Sequence, residues 1–367
     1  MRFFLPTAVT LLGTSTFVSA AATGFTARDL LRRHGAGQLP DGLPNPSPDQ
    51  LKHIELNAQG TLPNTPPPPT ISRGGITNLQ LIAFNELFET VYFSELLCNV
   101  TNNVEGYQIS DPSEREFVIK ALTAVRAQEE LHLLSANTAL QHFNAEPIQA
   151  CTYRFPVSDF KSAIVLASTF TDLVLGVLQD VVEIFAVGGD SGLARLIASV
   201  IGQEGEQQGW YRVLQGKIPS ELPFLTTSDL SFAFTAIQSF TVPGSCPNQN
   251  IIELLTFQPL TILTPPGPRT QEITVSWTVA DGHSEKRGGD HGLYMTYINQ
   301  QNLPIVEELR IISRNGNTVT AEALFPFDEN ELNGLTIAAV TNSKGPFANA
   351  NAVARSTVFG PGLIIVN

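Results

Sequence analysis

The sequence predicts a multi-domain chain of mixed α and β class, in which a four-helix bundle precedes an antiparallel β-sandwich. Four long segments between residues 76 and 215 repeat apolar residues at alternating spacings of three and four, the period of an α-helix. The connection between the second and third segments has about 15 residues, enough to cross the length of a bundle. From residue 261 onward the period changes to two, as in strands.

Length and composition limit the classes of function. The chain has 367 residues, of which 43% are hydrophobic and 15% charged, so it can bury more than one core. Its formal net charge of −13 argues against a nucleic acid or an anionic membrane surface as a partner. This balance suits a soluble protein that works at mildly acid to neutral pH.

Residues 1–20 have the pattern of a secretory signal peptide: a basic residue at Arg2, a short apolar run and an exit of small residues. A membrane anchor is the alternative, but the run is short for a membrane span. The best later apolar stretch, 163–187, is interrupted by three acidic residues. We therefore predict a secreted protein, extracellular or cell-wall-associated, without a membrane span.

Residues 21–75 are rich in proline and contain an unbroken proline run at 66–69. Proline removes a backbone donor and fixes φ, so we predict an extended, mobile lead-in without helix or strand. The dibasic pair Arg32-Arg33 is either a processing site or an exposed basic pair on this segment, and both interpretations stay open.

The helical domain is predicted to span residues 76–258. Its four long helices are predicted at 77–97, at 113–143, at 158–187, and from after residue 192 to near residue 216. The spacing of Ser113 and Glu116 predicts a capping box at the start of the second helix. A shorter helix is predicted at residues 229–238.

The C-terminal domain is predicted to span residues 262–367 as a β-sandwich of about seven strands. Runs such as 272–279 and 318–324 alternate apolar and polar residues. Three dipeptides that favour turns separate such runs: Asp281-Gly282, Asn315-Gly316 and Asn333-Gly334.

Export would allow a disulfide among the three cysteines. Cys151 and Cys246 both lie in loop-like contexts, and we predict that they pair and leave Cys98 free. Asn99 begins an Asn-Val-Thr sequon and is predicted to be glycosylated, as suits a secreted glycoprotein.

Polar side chains interrupt the apolar stripe of each long helix near its middle. The second and fourth helices each place a glutamate three residues before another polar residue on the stripe. Ionisable groups are rarely buried unless they are paired, hydrogen-bonded or bound to metal, so these positions form the candidate site. In chain order they are Glu86, Glu129, His132, Thr171, Glu204 and Gln207.

Three stretches carry a resemblance to a known family: 84–89 (FNELFE), 128–132 (QEELH) and 151–156 (CTYRFP). The chain resembles the fungal secreted proteins called late sexual development or stress-response proteins, which have a ferritin-like domain and are similar to plant desiccation-related proteins. The resemblance covers about residues 76–258. It implies a ferritin-like four-helix bundle with a long crossover, and a function linked to fungal sexual development or stress response.

Ferritin-like dinuclear carboxylate proteins place one Glu on each of two helices and Glu-x-x-His on each of the other two. By this resemblance Glu86, Glu129, His132 and Glu204 fall on metal-ligand positions. Two positions depart from the pattern, because the third-helix carboxylate is replaced by Thr171 and the fourth-helix histidine by Gln207.

The histidine count weakens the case for a dinuclear centre. His142 is the other histidine of the helical region, and ten helical residues separate it from His132 by about 15 Å. His142 therefore cannot serve the same site. We predict that a complete dinuclear centre does not form.

Two interpretations of the site stay open. In one, Glu86, Glu129, His132 and Glu204 hold a single Mn or Fe ion, and Zn is also compatible. In the other, the site is degenerate, and at least one glutamate takes up a proton because an unpaired buried charge costs about 3–5 kcal/mol. The leading prediction is a non-enzymatic protein without a cofactor. The alternative is a metal-dependent oxidase- or catalase-like enzyme with a reduced ligand set.

Two further features bear on partners. The segment 281–291 contains His283 and His291, but its glycines and charges favour a solvated hairpin loop over a metal site. The β-sandwich is compatible with attachment to a cell-wall component, and self-association is also open. A fold alone does not name a ligand.

Overall fold

The computed structural model describes residues 42–279 and 292–367. The predicted signal peptide, the Arg32-Arg33 pair, the Asp281-Gly282 turn and the loop histidines lie outside these residues. The described part contains a helical domain followed by a seven-stranded antiparallel sheet, which confirms the predicted fold class.

The helices of the helical domain are α1 Pro48–Ala58, α2 Arg73–Thr101, α3 Pro112–His142, α4 Phe160–Val187, α5 Ser191–Leu214 and α6 Leu230–Gln238, with a 3₁₀ turn at Gln249–Ile251. The four long helices α2 to α5 form the bundle: α2 packs along α3 and α4 packs along α5, while α2 also contacts α4. The connection from α3 to α4 crosses the bundle, as predicted, because Phe160 at the start of α4 donates its N–H to the carbonyl of Gly106, which precedes α3.

Helix α1 corrects the prediction that the proline-rich lead-in holds no helix. Ser47 caps α1 by accepting the Gln50 N–H, and the Gln50 side chain accepts the Ser47 N–H in return. Pro48 occupies the first turn, where its missing donor is not needed. Ile54 and Ala58 are buried as α1 packs on α3. The prediction that this segment holds no helix was wrong, because a proline in the first turn does not interrupt a helix.

The start of α3 is a second correction. The predicted capping box of Ser113 and Glu116 is wrong, because the helix begins one residue earlier, at Pro112. Its N-cap is Asp111, whose carboxylate accepts the Glu114 N–H at 2.8 Å. Ser113 therefore follows Pro112 inside the first turn, and it is not the N-cap.

The strands are β1 Thr261–Ile262, β2 Gln271–Thr278, β3 Tyr294–Asn299, β4 Ile305–Asn315, β5 Thr318–Phe325, β6 Gly334–Thr341 and β7 Thr357–Val366. They form one sheet in the order β1-β2-β5-β4-β3-β6-β7, and all of its pairs are antiparallel. β1 also approaches β7, and Gln258 forms a bridge with Phe359, so the sheet nearly closes into a barrel-like sandwich. Two short helices, α7 Phe327–Asn330 and α8 Ala350–Ser356, flank β6.

The two domains share a buried boundary. Every residue of β6 is buried, with Leu335 and Ile337 in the apolar cluster of the bundle and Ala338 and Val340 in that of the sheet. Thr226, in the connection from α5 to α6, donates its hydroxyl to the Leu335 carbonyl at 2.6 Å. The position of the sheet against the bundle is therefore fixed by both packing and hydrogen bonding.

Cys151 and Cys246 form a disulfide with their Cα atoms 4.2 Å apart, and Cys98 is free, as predicted. The disulfide ties the α3–α4 crossover to the segment that follows α6. Asn99 lies half-buried in the last turn of α2, and its glycosylation stays a prediction. Among the described residues, no helix is both long and apolar enough to cross a membrane.

Candidate metal centre

Three helices of the bundle bring Glu86, Glu129, His132 and Glu204 together at mid-length. One ligand atom from each residue lies within 4.8 Å of the ligand atoms of the others. His132 Nδ1 is 3.0 Å from Glu129 Oε2, 3.7 Å from Glu86 Oε2 and 3.9 Å from Glu204 Oε1. The four side chains could hold a metal ion; that they do so stays a prediction.

The carboxylates of this cluster are almost completely withdrawn from solvent. Glu86 and Glu204 are 1% exposed and Glu129 is fully buried, while the His132 side chain keeps 17% of its exposure. Glu86 Oε2 and both Glu204 carboxylate oxygens have no hydrogen-bond partner among the described residues. Buried carboxylate oxygens without donors require either a proton or a cation.

Burial and mutual repulsion set the protonation of the cluster. Burial raises the pKa of Glu86 to about 7, although His132 opposes the shift. Burial, with the neighbouring carboxylates of Glu86 and Glu129, raises the pKa of Glu204 well above its usual range. Burial alone would lower the pKa of His132, but Glu129 and Glu86 raise it well above its ordinary value. Without a cation, the cluster therefore retains protons at neutral pH.

Glu89 is a member of this environment that sequence reasoning missed. It is 3% exposed, and its Oε1 has no hydrogen-bond partner among the described residues. Burial and the charges of Glu129 and Glu204 raise its pKa well above the usual range. Its spacing of three from Glu86 could have identified it, because such residues share a helix face.

Gln207 and Thr171 stand where the ferritin-like pattern has a histidine and a carboxylate. Gln207 donates its amide N–H to Glu129 Oε1 at 2.6 Å, and its carbonyl oxygen accepts the Tyr211 hydroxyl at 3.2 Å. Gln207 therefore orients Glu129 where the ferritin-like pattern has a histidine ligand. Thr171 is buried on α4 and supplies no carboxylate. The described residues thus provide ligands for one ion more readily than for two.

Asp172, the acidic residue beside Thr171, belongs to a different buried cluster. It accepts a hydrogen bond from the Gln208 amide, and burial together with Glu221 raises its pKa well above the usual range. Arg212 is 2% exposed, lies 3.5 Å from Glu221 and donates to the Ile218 carbonyl at 2.8 Å. Asp172 is therefore not a ligand of the centre formed by Glu86, Glu129, His132 and Glu204.

Comparison with family models matches residues 79–217 to the ferritin-like domain. This range contains all four clustered side chains, and residues 79–217 form a ferritin-like domain. The β-rich region that follows lies outside the match. A search of curated proteins found no match.

Proposed function

We propose that the ferritin-like domain binds one divalent cation through Glu86, Glu129, His132 and Glu204, and that it is not a redox enzyme. The observation that carries the proposal is a buried carboxylate cluster around a single imidazole nitrogen, in which Glu86 Oε2 and both Glu204 oxygens have no donor among the described residues. A divalent cation would replace the protons that the cluster otherwise retains.

The donor set indicates the class of cation. Three carboxylates and one imidazole suit Mn²⁺ or Fe²⁺, and Zn²⁺ accepts the same donors. When bound, the ion would supply positive charge at the centre of the bundle and join α2, α3 and α5. Thr171 and Gln207 replace the ligands that a second ion would use, which supports a non-catalytic site.

The resemblance to fungal development and stress-response proteins supports a role in those processes. The pattern of residues 1–20 supports secretion, and a disulfide between Cys151 and Cys246 suits an oxidising compartment. We place the protein in the extracellular space or the cell wall. Pull-down of the full chain with cell-wall fractions tests that placement, and no enrichment over an unrelated secreted protein would count against it.

Metal titration tests the cation site directly. Full-length protein stripped with a chelator is titrated with Mn²⁺, with Fe²⁺ under anaerobic conditions, and with Zn²⁺, and bound metal is measured by elemental analysis. We expect one ion per chain. His132→Ala should lose binding, while His142→Ala, an exposed position on the same helix, should keep it.

The outcomes are distinct. No binding by the folded wild-type protein, or equal binding by His132→Ala, would overturn the site. Two ions per chain would overturn the single-ion stoichiometry. Turnover of peroxide or oxygen by the loaded protein, lost in His132→Ala, would establish the enzyme instead. Circular dichroism of each variant separates loss of metal from loss of fold.

A further inference from the structure

A cavity of about 300 Å³ lies beside the cluster, between α3, α5 and the segment that joins α1 to α2. We infer that it is a binding site for a small uncharged molecule with an apolar body and one hydroxyl group. The inference does not depend on the cation, because it rests on the walls of the cavity and on the polar groups at one end.

The cavity follows the bundle axis. Its wall on α3 runs from Gln128 to Ala139 and its wall on α5 runs from Leu193 to Gln203. At 1.5 Å per helical residue, each wall is about 15 Å long. A volume of about 300 Å³ spread over this length gives a narrow, elongated space. The shape fits a chain-like ligand better than a compact one.

The body of the cavity is apolar, and its side chains come from four long helices. Its volume is at the lower end of the range of about 300–1,000 Å³ found for small-molecule sites, and such sites combine apolar walls with a few polar groups. Representative wall residues are Leu79, Ile82, Leu131, Ala136, Phe185 and Ile197.

The polar end of the cavity contains two hydrogen-bond acceptors that lack a donor. Glu86 and Gln203 both line the cavity, and Glu86 Oε2 and Gln203 Oε1 are buried acceptors without a partner among the described residues. The Gln203 amide N–H is already donated to Gln128 Oε1 at 3.0 Å. A ligand hydroxyl would satisfy a buried acceptor that otherwise costs about 1–3 kcal/mol.

Hydrogen-bond chemistry favours a hydroxyl over an ionised carboxylate. A carboxylate head group can only accept hydrogen bonds, so it would leave Gln203 Oε1 without a donor. A hydroxyl group carries no charge and can donate. With a cation bound, Gln203 would still offer its free carbonyl oxygen, because Gln203 is not in the proposed ligand set.

The ligand has a route of entry. Gly60, Thr61 and Pro63 line the cavity from an exposed connection, and Ser199 lines it from an exposed position on α5. The mouth therefore opens between this connection and α5, and the four long helices need not separate. Near the polar end, the hydrogen bond from Gln203 to Gln128 bridges α5 and α3.

Calorimetric titration of the full chain with 1-octanol and with octanoate tests the site. We expect saturable binding of one 1-octanol per chain, and binding of octanoate weaker by about tenfold or more. Ala136→Leu should abolish octanol binding by filling the cavity. Ala198→Leu, the same change at an exposed position of α5, should not. Gln203→Leu should weaken octanol binding severalfold.

The result that would overturn the site is absence of saturable octanol binding, equal affinity for octanoate, or an unchanged affinity in Ala136→Leu. Should Ala136→Leu fail to fold, Val200→Phe fills the cavity from α5 and takes its place. Metal content is measured in the same samples and should stay at one ion per chain in Ala136→Leu. Octanol binding without metal binding would contradict only the proposed function, and the reverse would contradict only the cavity site.

Discussion

The buried carboxylates should make the metal-free protein less stable as pH rises. Glu86, Glu89 and Glu204 have pKa values raised by burial, so the folded state binds protons that the unfolded state has released. The raised pKa of His132 acts in the same direction, because its protonated form is stabilised below that pKa and the benefit is lost above it. The free energy of unfolding therefore falls with pH wherever the folded state holds more protons.

Ionisation of buried Glu86 has a cost in folding stability that follows from its pKa. Its pKa is raised from 4.5 to about 7. At 1.36 kcal/mol per pKa unit, the full penalty is about 3 kcal/mol above pH 7. It begins near the unfolded pKa, so about 2.5 kcal/mol of it should develop between pH 5 and pH 8. Below pH 4 the carboxyl is protonated in both states, and the penalty disappears.

The perturbation is Glu86→Gln, which keeps the shape of the side chain and removes its titration. Urea unfolding of chelator-treated protein, followed by circular dichroism of the helices, gives the free energy of unfolding at pH 5 and pH 8. Between pH 5 and pH 8, the free energy of unfolding of Glu86→Gln should fall by about 2.5 kcal/mol less than that of the wild-type protein. Glu206→Gln, an exposed glutamate on α5, should fall in parallel with wild type.

Parallel loss of stability in wild type and Glu86→Gln would refute this reasoning, because Glu86 would then be ionised in the folded state at little cost. A rise of stability with pH would refute the sign for the whole cluster. A fall that disappears equally in Glu206→Gln would assign the effect to general surface charge.

Two further changes test the framework around the centre. Cys151→Ser should lower the free energy of unfolding by about 4 kcal/mol, because the disulfide closes a loop of 95 residues. Cys98→Ser, which removes a free cysteine, should change it little. Equal effects of the two substitutions in chemical denaturation would contradict the assignment of the pair. Arg212→Met should cost about 3–5 kcal/mol by leaving Glu221 buried without its ion-pair partner. Arg195→Met, at an exposed position of α5, is its control in thermal unfolding, and a similar loss in both would argue against a buried ion cluster.

Periodicity predicted the long helices because their apolar stripes extend over many turns, and it placed Glu86, Glu129, His132 and Glu204 on inward faces. Their convergence is a tertiary property that one helix cannot encode alone. Glu89 shows the limit: the stripe on α2 is wide enough to bury Glu86, Glu89 and Thr90 together. A spacing of four residues joins Glu86 to Thr90 on this stripe, and it omits Glu89, which is also buried.

Local signals failed where a competing residue stood nearby. Ser113 and Glu116 have the spacing of a capping box, but Asp111 precedes a proline that is favourable at the first helical position. The polar end of the cavity could not be predicted either. The hydrogen bond from Gln203 to Gln128 depends on the distance between α3 and α5, which the sequence of neither helix gives.

Charge balance finally bears on how many ions the centre can hold. Glu86, Glu89, Glu129 and Glu204 are four buried carboxyl groups around one imidazole. One divalent cation would compensate two of these charges, so the remaining groups would still have to hold protons or share donors. Gln207 supplies one such donor to Glu129, and Glu89, which lies outside the group of four close ligand atoms, is the natural place for a retained proton. Two cations would balance four carboxylates, but the second would lack the histidine that Gln207 has replaced. Thr171 and Gln207 at the two altered ligand positions, and the raised pKa of Glu89, are therefore both consistent with the proposed single cation.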